Sequence, residues 1–320
     1  MSNGTSFGAC GLAVGHATDV EGATGCTVLR GATGPVRCAA HVVGRATGTR
    51  ELTLLQPGHL VDRVDAIFLA GGSAYGLDAT AGVMRWMEER RRGFDVGAGV
   101  VPIVPAAVIF DLLPLGRFEA RPTAAMAYEA CARASDDPVP EGSVGAGTGA
   151  TVGKLAGPAS SMKGGVGCGA ADIGALTVRA LAVVNALGDV RDGAGQILAG
   201  ARDSSGRWLD GEAIVARGSA APTSFETLAG RNTTLCVVST NAALDRVQLE
   251  GVARAASAAL FRRITPAGTT FDGDVVFATA PLEGGVAAPP AQVEVLAVRA
   301  LEIAIERGVR TPAPGGILRG

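Results

Sequence analysis

Apolar positions fall into two textures along the chain. In the first seventy residues they form short β-branched runs at 11–14, 27–29, 36–43 and 66–69, broken by Gly and Thr as at 31–34. These read as strands and turns. Leu77, Ala81, Met84 and Met87 then share one side of a helical pattern over 75–92, with a charged end at 88–92 and Gly93 as the stop. A second helix is expected over 124–133. The centre, 142–169, is Gly-rich. Strand-like runs follow at 175–184 and 196–201, with turns expected at 188–191 and 203–206. Residues 211–230 have little periodicity and read as an exposed linker. Beyond them lies an apolar strand at 234–239. A helix over 246–262 is capped by Asp245 and striped by Leu249, Val252, Ala256, Ala259 and Leu260. A strand at 275–278 precedes a helix over 292–307, striped by Val293, Leu296, Ala297, Ala300 and Ala304 and closed by Gly308. No regular strand–helix–strand alternation appears. The pattern favours sheets with helices on their outer faces, an α+β class.

Composition narrows the function classes. The 320 residues are 48% hydrophobic and 18% charged, which excludes intrinsic disorder. The 47 glycines follow no three-residue period, so collagen is excluded. A net charge of −2 leaves no basic surplus for phosphates and argues against a nucleic-acid partner. The longest uncharged apolar run, 96–110, contains Pro102 and Pro105 and is too short to cross a bilayer, so no membrane association is expected. Residues 1–22 lack a basic and apolar export signal. Six scattered cysteines with no CxxC pair then read as reduced core thiols in a cytoplasmic protein, with no metal and no cofactor.

Several motifs invite chemistry. Gly145, Gly147 and Ala150 match a dinucleotide fingerprint loosely. The preceding stretch, 136–142, holds two prolines and three acids, which makes no buried strand. A bend with close backbone packing is the better reading. No GxSxG elbow is present, and His16, His41 and His59 all lie in the first sixty residues, which weakens any His-based triad. Cys236, inside an apolar strand, reads as core.

The informative stretch is Asn232-Thr233-Thr234 before an apolar strand. Asn232 by itself is a turn residue. The same arrangement also suits self-cleavage. The Thr233 hydroxyl attacks the Asn232 carbonyl, and the α-amine freed at Thr233, with a reference pKa of about 7.7–8.0, becomes the base for its own hydroxyl. No histidine is then needed. Further on, Phe271-Asp272-Gly273-Asp274 reads as a strand start. Period two places Asp272 and Asp274 on one face about 7 Å apart, with Gly273 pointing away. Two such acids can orient an ammonium and a hydroxyl. A metal pair or a solvated turn is the plainer alternative.

Together these residues carry a resemblance. Asn232-Thr233-Thr234, then Thr240-Asn241, an amphipathic helix and Phe271-Asp272-Gly273-Asp274 resemble the self-cleaving L-aminopeptidase/D-esterase family, in the branch of the nylon-oligomer (6-aminohexanoate oligomer) hydrolases. Upstream, the Gly71-Gly72-Ser73-Ala74-Tyr75 stretch, Thr151-Val152-Gly153-Lys154 and Val183-Val184-Asn185 are similar to that family's Tyr, Lys and Asn motifs. The resemblance implies a four-layer αββα sandwich of the N-terminal-nucleophile hydrolase fold. It implies one domain, 1–320, cut into a large chain, 1–232, and a small chain, 233–320, that stay associated. Thr233 would be the nucleophile, Asp272 and Asp274 would hold the amine and hydroxyl, and Lys154 would stabilise the active state. Asn185 and Tyr75 would bind the reacting carbonyl. Context favours Lys154 over Lys163 for the lysine role. The substrate would be a small peptide or amide oligomer, and the assembly a homo-oligomer, a tetramer of cleaved pairs. The sequence departs from the serine branch, because Thr replaces Ser and Asp-Gly-Asp replaces a Ser-and-Glu arrangement. Acyl transfer through the same Thr ester, or a non-catalytic binding role on the same scaffold, are the competing functions.

Overall fold

The computed structural model describes residues 4–218 and 232–310. Eleven strands build its two large sheets: β1 (Leu12–Asp19), β2 (Thr24–Gly31), β3 (Val36–Val42), β4 (Thr49–Arg50), β5 (Arg63–Val64), β6 (Ala66–Ala70), β7 (Ala106–Val108), β8 (Gly165–Ile173), β9 (Leu176–Asn185), β10 (Thr233–Thr240) and β11 (Val275–Ala280). The first sheet runs β1-β2-β6-β7-β4 and the second β8-β9-β10-β11-β3-β5. The helices are α1 (Thr80–Glu88), α2 (Ala124–Arg133), α3 (Gly211–Ala216), α4 (Arg246–Ala256), α5 (Ala258–Arg263) and α6 (Pro290–Arg310).

Alternation along the strands creates three apolar layers. In β10 every residue is buried. Leu235 and Val237 face the core between the sheets, where Leu29, Leu69 and Ile109 meet Leu181, Val183 and Phe277. Cys236 and Val238 face the other way, into the core under α4, α5 and α6 with Leu249, Leu260 and Leu301. A third core lies between the outer face of the first sheet and helices α1 and α2, where Val28 and Phe68 meet Val83, Met87 and Ala127. The order is helix, sheet, sheet, helix, the αββα sandwich that was expected. A strand buried on both faces needs a continuous apolar run, which 234–239 supplies. No described helix is long and apolar enough to cross a membrane.

Local differences from the sequence reading have physical causes. Residues 73–79 form a 3₁₀ segment, and the α-helix begins only at Thr80 and ends at Glu88, before Gly93. The expected helix over 246–262 is two helices that meet at Ser257, whose hydroxyl donates to the Arg254 carbonyl at 2.6 Å. Gly308 does not close α6. It sits inside the helix, where added Cβ atoms on Gly165 and Gly167 of β8 would run into its backbone. The expected turn at 188–191 contains a strand, Asp189–Arg191, because partners at Ile197–Ala199 and Ile264–Thr265 pair with it. The expected linker begins as α3, capped by Asp210, and its remainder from 219 lies outside the described residues.

Candidate active site

The strand ladders converge on one point. Across the β9–β10 pair, Asn185 lies opposite Thr233. Across the parallel β10–β11 pair, Leu235 lies opposite Val275, and a bridge between Asn232 and Asp272 extends the same register. The end of β9, the start of β10 and the approach to β11 thus bring Asn185, Thr233, Asp272 and Asp274 together. All four are buried. The Thr233 hydroxyl donates to the Asn232 carbonyl oxygen at 2.7 Å.

The acids are held individually. Asp274 Oδ1 accepts from the Thr234 N–H at 2.6 Å. Asp272 Oδ2 accepts from the Thr269 N–H at 2.8 Å and its hydroxyl at 2.7 Å. The loop 43–46 fastens the backbone between them, because Val43 and Gly44 donate to the Asp274 carbonyl while Arg45 and Ala46 donate to that of Asp272. Gly273 does not point away from the nucleophile. A Cβ built on it would lie 2.6 Å from Thr233 Oγ1, so its missing side chain makes room for the hydroxyl.

Lys154 lies inside the cluster, and its Nζ donates to the Asn185 Oδ1 at 2.8 Å and the Asn185 carbonyl at 3.0 Å. Asn185 Oδ1 also accepts from the Thr151 N–H, and its Nδ2 donates to the Phe110 carbonyl at 3.3 Å. Burial pushes the Lys154 ammonium down to about 7, against the attraction of Asp272, Asp274 and Asp111. Burial raises both site acids, and the charge of Asp272 pushes Asp274 further in the same direction. A lysine pushed down beside two acids pushed up is the kind of perturbed cluster that sites of acid–base chemistry carry.

Tyr75 stands apart from these contacts. It is 51% exposed on the 3₁₀ segment, edge-on to Phe118 with centroids 6.4 Å apart, and the Arg121 guanidinium is 3.5 Å from its ring centroid. Lys163 donates to the carbonyls of Gly147, Ala150 and Gly164 at 2.7–3.1 Å rather than to Asn185. Asp111 escaped the sequence reading. It accepts from the Gly72 N–H at 2.6 Å and the Thr24 hydroxyl at 2.7 Å, and burial raises its carboxyl to about 6. Its one signal was an acid directly after the apolar run 96–110. The Gly145–Gly147 segment is a 3₁₀ turn, and added Cβ atoms at Gly147 and, just beyond it, at Gly149 would strike neighbouring backbone, which fits a tight bend. All six cysteines are free and buried, Cys236 among them. A cavity of about 230 Å³ opens beside the cluster, walled by Leu155, Leu187, Val215 and Phe271 with Arg45, Thr269 and Thr270 as its polar members.

This geometry coincides with a match to the model of peptidase family S58 over residues 9–311. The chain belongs to peptidase family S58. Among its relatives, an uncharacterized aminopeptidase of Mycobacterium tuberculosis is 46% identical over 266 residues, which cover 81% of this chain and 72% of the relative. A 6-aminohexanoate-oligomer endohydrolase of Kocuria sp. is 32% identical over 273 residues, covering 84% and 72%. The solved L-aminopeptidase D-Ala-esterase/amidase of Ochrobactrum anthropi, described as a variant of the Ntn hydrolase fold, superposes with a TM-score of 0.68 at 21% identity, covering 93% of this chain and 83% of that one. A β-aminopeptidase of Burkholderia sp. superposes with a TM-score of 0.64 at 22% identity, covering 95% and 87%. The fold is therefore that of the N-terminal-nucleophile hydrolases, and the S58 chain is a hydrolase of peptide or amide bonds.

Proposed function

We propose that the protein is a self-activating amide hydrolase whose nucleophile is Thr233, exposed as a new N-terminus by scission of the Asn232–Thr233 bond. The observation that carries this reading is the 2.7 Å approach of the Thr233 hydroxyl to the Asn232 carbonyl oxygen, at the head of a buried strand flanked by Asn185, Lys154 and two acids. The hydroxyl oxygen adds to the Asn232 carbonyl carbon, the C–N bond breaks as the hydroxyl proton passes to the Thr233 nitrogen, and an ester forms. Water then hydrolyses the ester, which leaves the Asn232 carboxylate, a free Thr233 amine and a restored hydroxyl. In turnover that amine takes the hydroxyl proton as Thr233 attacks the substrate. Asp272 and Asp274 hold the amine and hydroxyl, Lys154 offsets their charge, and Asn185 and Tyr75 receive the substrate carbonyl.

The substrate is a short peptide or an amide oligomer such as the 6-aminohexanoate series. The names of the relatives and the largely apolar cavity beside the cluster support this. Chains 1–232 and 233–320 stay together because β10 pairs with β9 of the large chain, and β11 with β3. The cleaved pairs assemble as a homo-oligomer, a tetramer, which the exposed Phe94, Val96 and Val101 support. Six unpaired thiols fit a reducing cytoplasm. Intact-mass measurement of the purified protein tests the core of the proposal. Two chains are expected, the small one beginning at Thr233, and Thr233→Ala should remain one inactive chain. An active protein that persists uncut would sink it.

A further inference from the structure

The peptide bond between Asn232 and Thr233 sits in the first rung of a parallel ladder. That rung has a chemical consequence at the scissile carbonyl. The Gly273 N–H donates to the Asn232 carbonyl oxygen at 2.8 Å, and the Thr233 hydroxyl donates to the same oxygen at 2.7 Å. When the hydroxyl oxygen turns to attack the carbonyl carbon, it gives up its proton. The oxygen then loses that donor just as negative charge develops on it. The backbone donor stays.

We infer that the main-chain amide of Gly273 is the donor that stabilises the oxyanion formed on Asn232 during self-cleavage. The assignment rests on the self-cleavage proposed above. Three features prepare this amide. First, a trans peptide points its C=O and N–H in opposite directions. The carbonyl of the same peptide unit, that of Asp272, accepts from the Arg45 N–H at 2.8 Å and the Ala46 N–H at 2.9 Å. Fixing that carbonyl aims the Gly273 N–H and polarises it toward Asn232. Second, the rung is buried, since Asn232 is 0% and Thr233 3% exposed, so the donor acts where water does not screen it. Third, position 273 admits no side chain. A Cβ would lie 2.6 Å from both Thr233 Oγ1 and the Ala46 carbonyl oxygen. Glycine at 273 therefore serves the reaction twice, by offering the N–H and by leaving the nucleophile its place. A main-chain amide does not titrate, so its contribution persists across the pH range in which the surrounding ionisable groups change charge.

The test compares full chains carrying Gly273→Pro, which adds a Cβ and removes the N–H, and Gly273→Ala, which adds a Cβ and keeps the N–H, with unfolding midpoints measured against wild type and cleavage followed by intact mass. Self-cleavage of the folded proline variant should be slower than that of the alanine variant on the order of 10²–10³-fold, the usual cost of one oxyanion donor. Hydroxylamine, which cuts esters, should not release the small chain, because the ester never accumulates. Equal cleavage rates in the proline and alanine variants, or release by hydroxylamine, would overturn the assignment. If the proline variant does not fold, the uncut Thr233→Ala chain labelled with ¹⁵N-glycine decides the matter. There the Gly273 amide should exchange with solvent as slowly as amides inside β10, and fast exchange refutes the assignment. Failure of the underlying reading looks different, since wild type would then stay uncut or Thr233→Ala would be cut.

Discussion

Two lysines, the buried Lys154 and the half-buried Lys163, share a composition of surroundings but not a purpose. Burial pushes each ammonium down to about 7, and each has buried acids nearby. Lys163 is enclosed by main chain, with three carbonyls around its Nζ and Asp111 beyond, itself held by Gly72 and Thr24. Lys154 instead meets a side chain, Asn185, which lies opposite Thr233, and feels both Asp272 and Asp274. A perturbed lysine is thus not by itself a sign of catalysis. What separates the two is whether the partners are backbone groups alone or include the side chain of a residue paired across the ladder with Thr233. The first arrangement ties the Gly-rich centre to the fold. The second sets a cation beside the residues proposed to carry the chemistry.

Replacing each lysine by methionine should split the two roles. Lys154→Met should cost turnover about 10²–10³-fold, the scale of one lost electrostatic stabiliser, while the fold survives. Lys163→Met should act mainly on stability. It strips three buried carbonyls of their donor and leaves Asp111 without its cation, a loss of roughly 3–5 kcal/mol. Denaturant unfolding together with kcat per folded molecule measures both. The comparison breaks if Lys163→Met removes activity at unchanged stability.

The contrast was only half legible in the sequence. Lys154 was favoured through the motif Thr151-Val152-Gly153-Lys154, but nothing in the residues around Lys163 announces three carbonyl acceptors from separate turns. Asp111 was missed for the same reason, because its partners Thr24 and Gly72 are remote in the chain. Long periodic elements could be read. The helix expected over 124–133 matches α2 to the residue, and the strand at 234–239 gains only its end residues. What failed was decided by tertiary approach. Asp189–Arg191 is a strand only because other segments pair with it, and Gly308 stays helical because β8 packs against it. The face of Gly273 was misread because strand alternation was carried back to 271–274, whereas β11 begins at Val275.

The pH dependence of stability sharpens the comparison further. The Lys163 ammonium titrates at about 7 in the folded chain against an ordinary value of 10.5. Below about 7 it is charged in both states and its burial penalty is fully present. Between about 7 and 10.5 the unfolded chain holds a proton that the folded chain has released, so this group makes stability rise with pH. Asp111 acts in the other direction and lower down. Its carboxyl is raised from 3.8 to about 6, so over that interval the folded chain holds the extra proton and stability falls as pH rises. Unfolding free energies measured from pH 4 to 10 in wild type and Lys163→Met should differ by a slope above about pH 7 that the variant lacks. Parallel curves would show that Lys163 keeps an ordinary affinity for its proton.

The smallest expected effect compares two threonine hydroxyls that serve buried carboxylates. Thr24 donates to Asp111 and Thr269 donates to Asp272, both at 2.7 Å. Thr→Val keeps the shape at each site and deletes one donor. Each change should cost about 1–3 kcal/mol, the penalty for a buried acceptor left short of a partner. Their effects on turnover should differ. At Thr269 the lost bond stabilised the ionised acid, so Asp272 should hold its proton to higher pH. If its carboxylate holds the Thr233 ammonium, the acid limb of the kcat/KM profile moves upward. Thr24→Val should leave that limb where it is, because Asp111 meets a loop amide and not the nucleophile. Equal shifts in the two profiles would place both carboxylates in the same chemistry and dissolve the distinction between the two lysines.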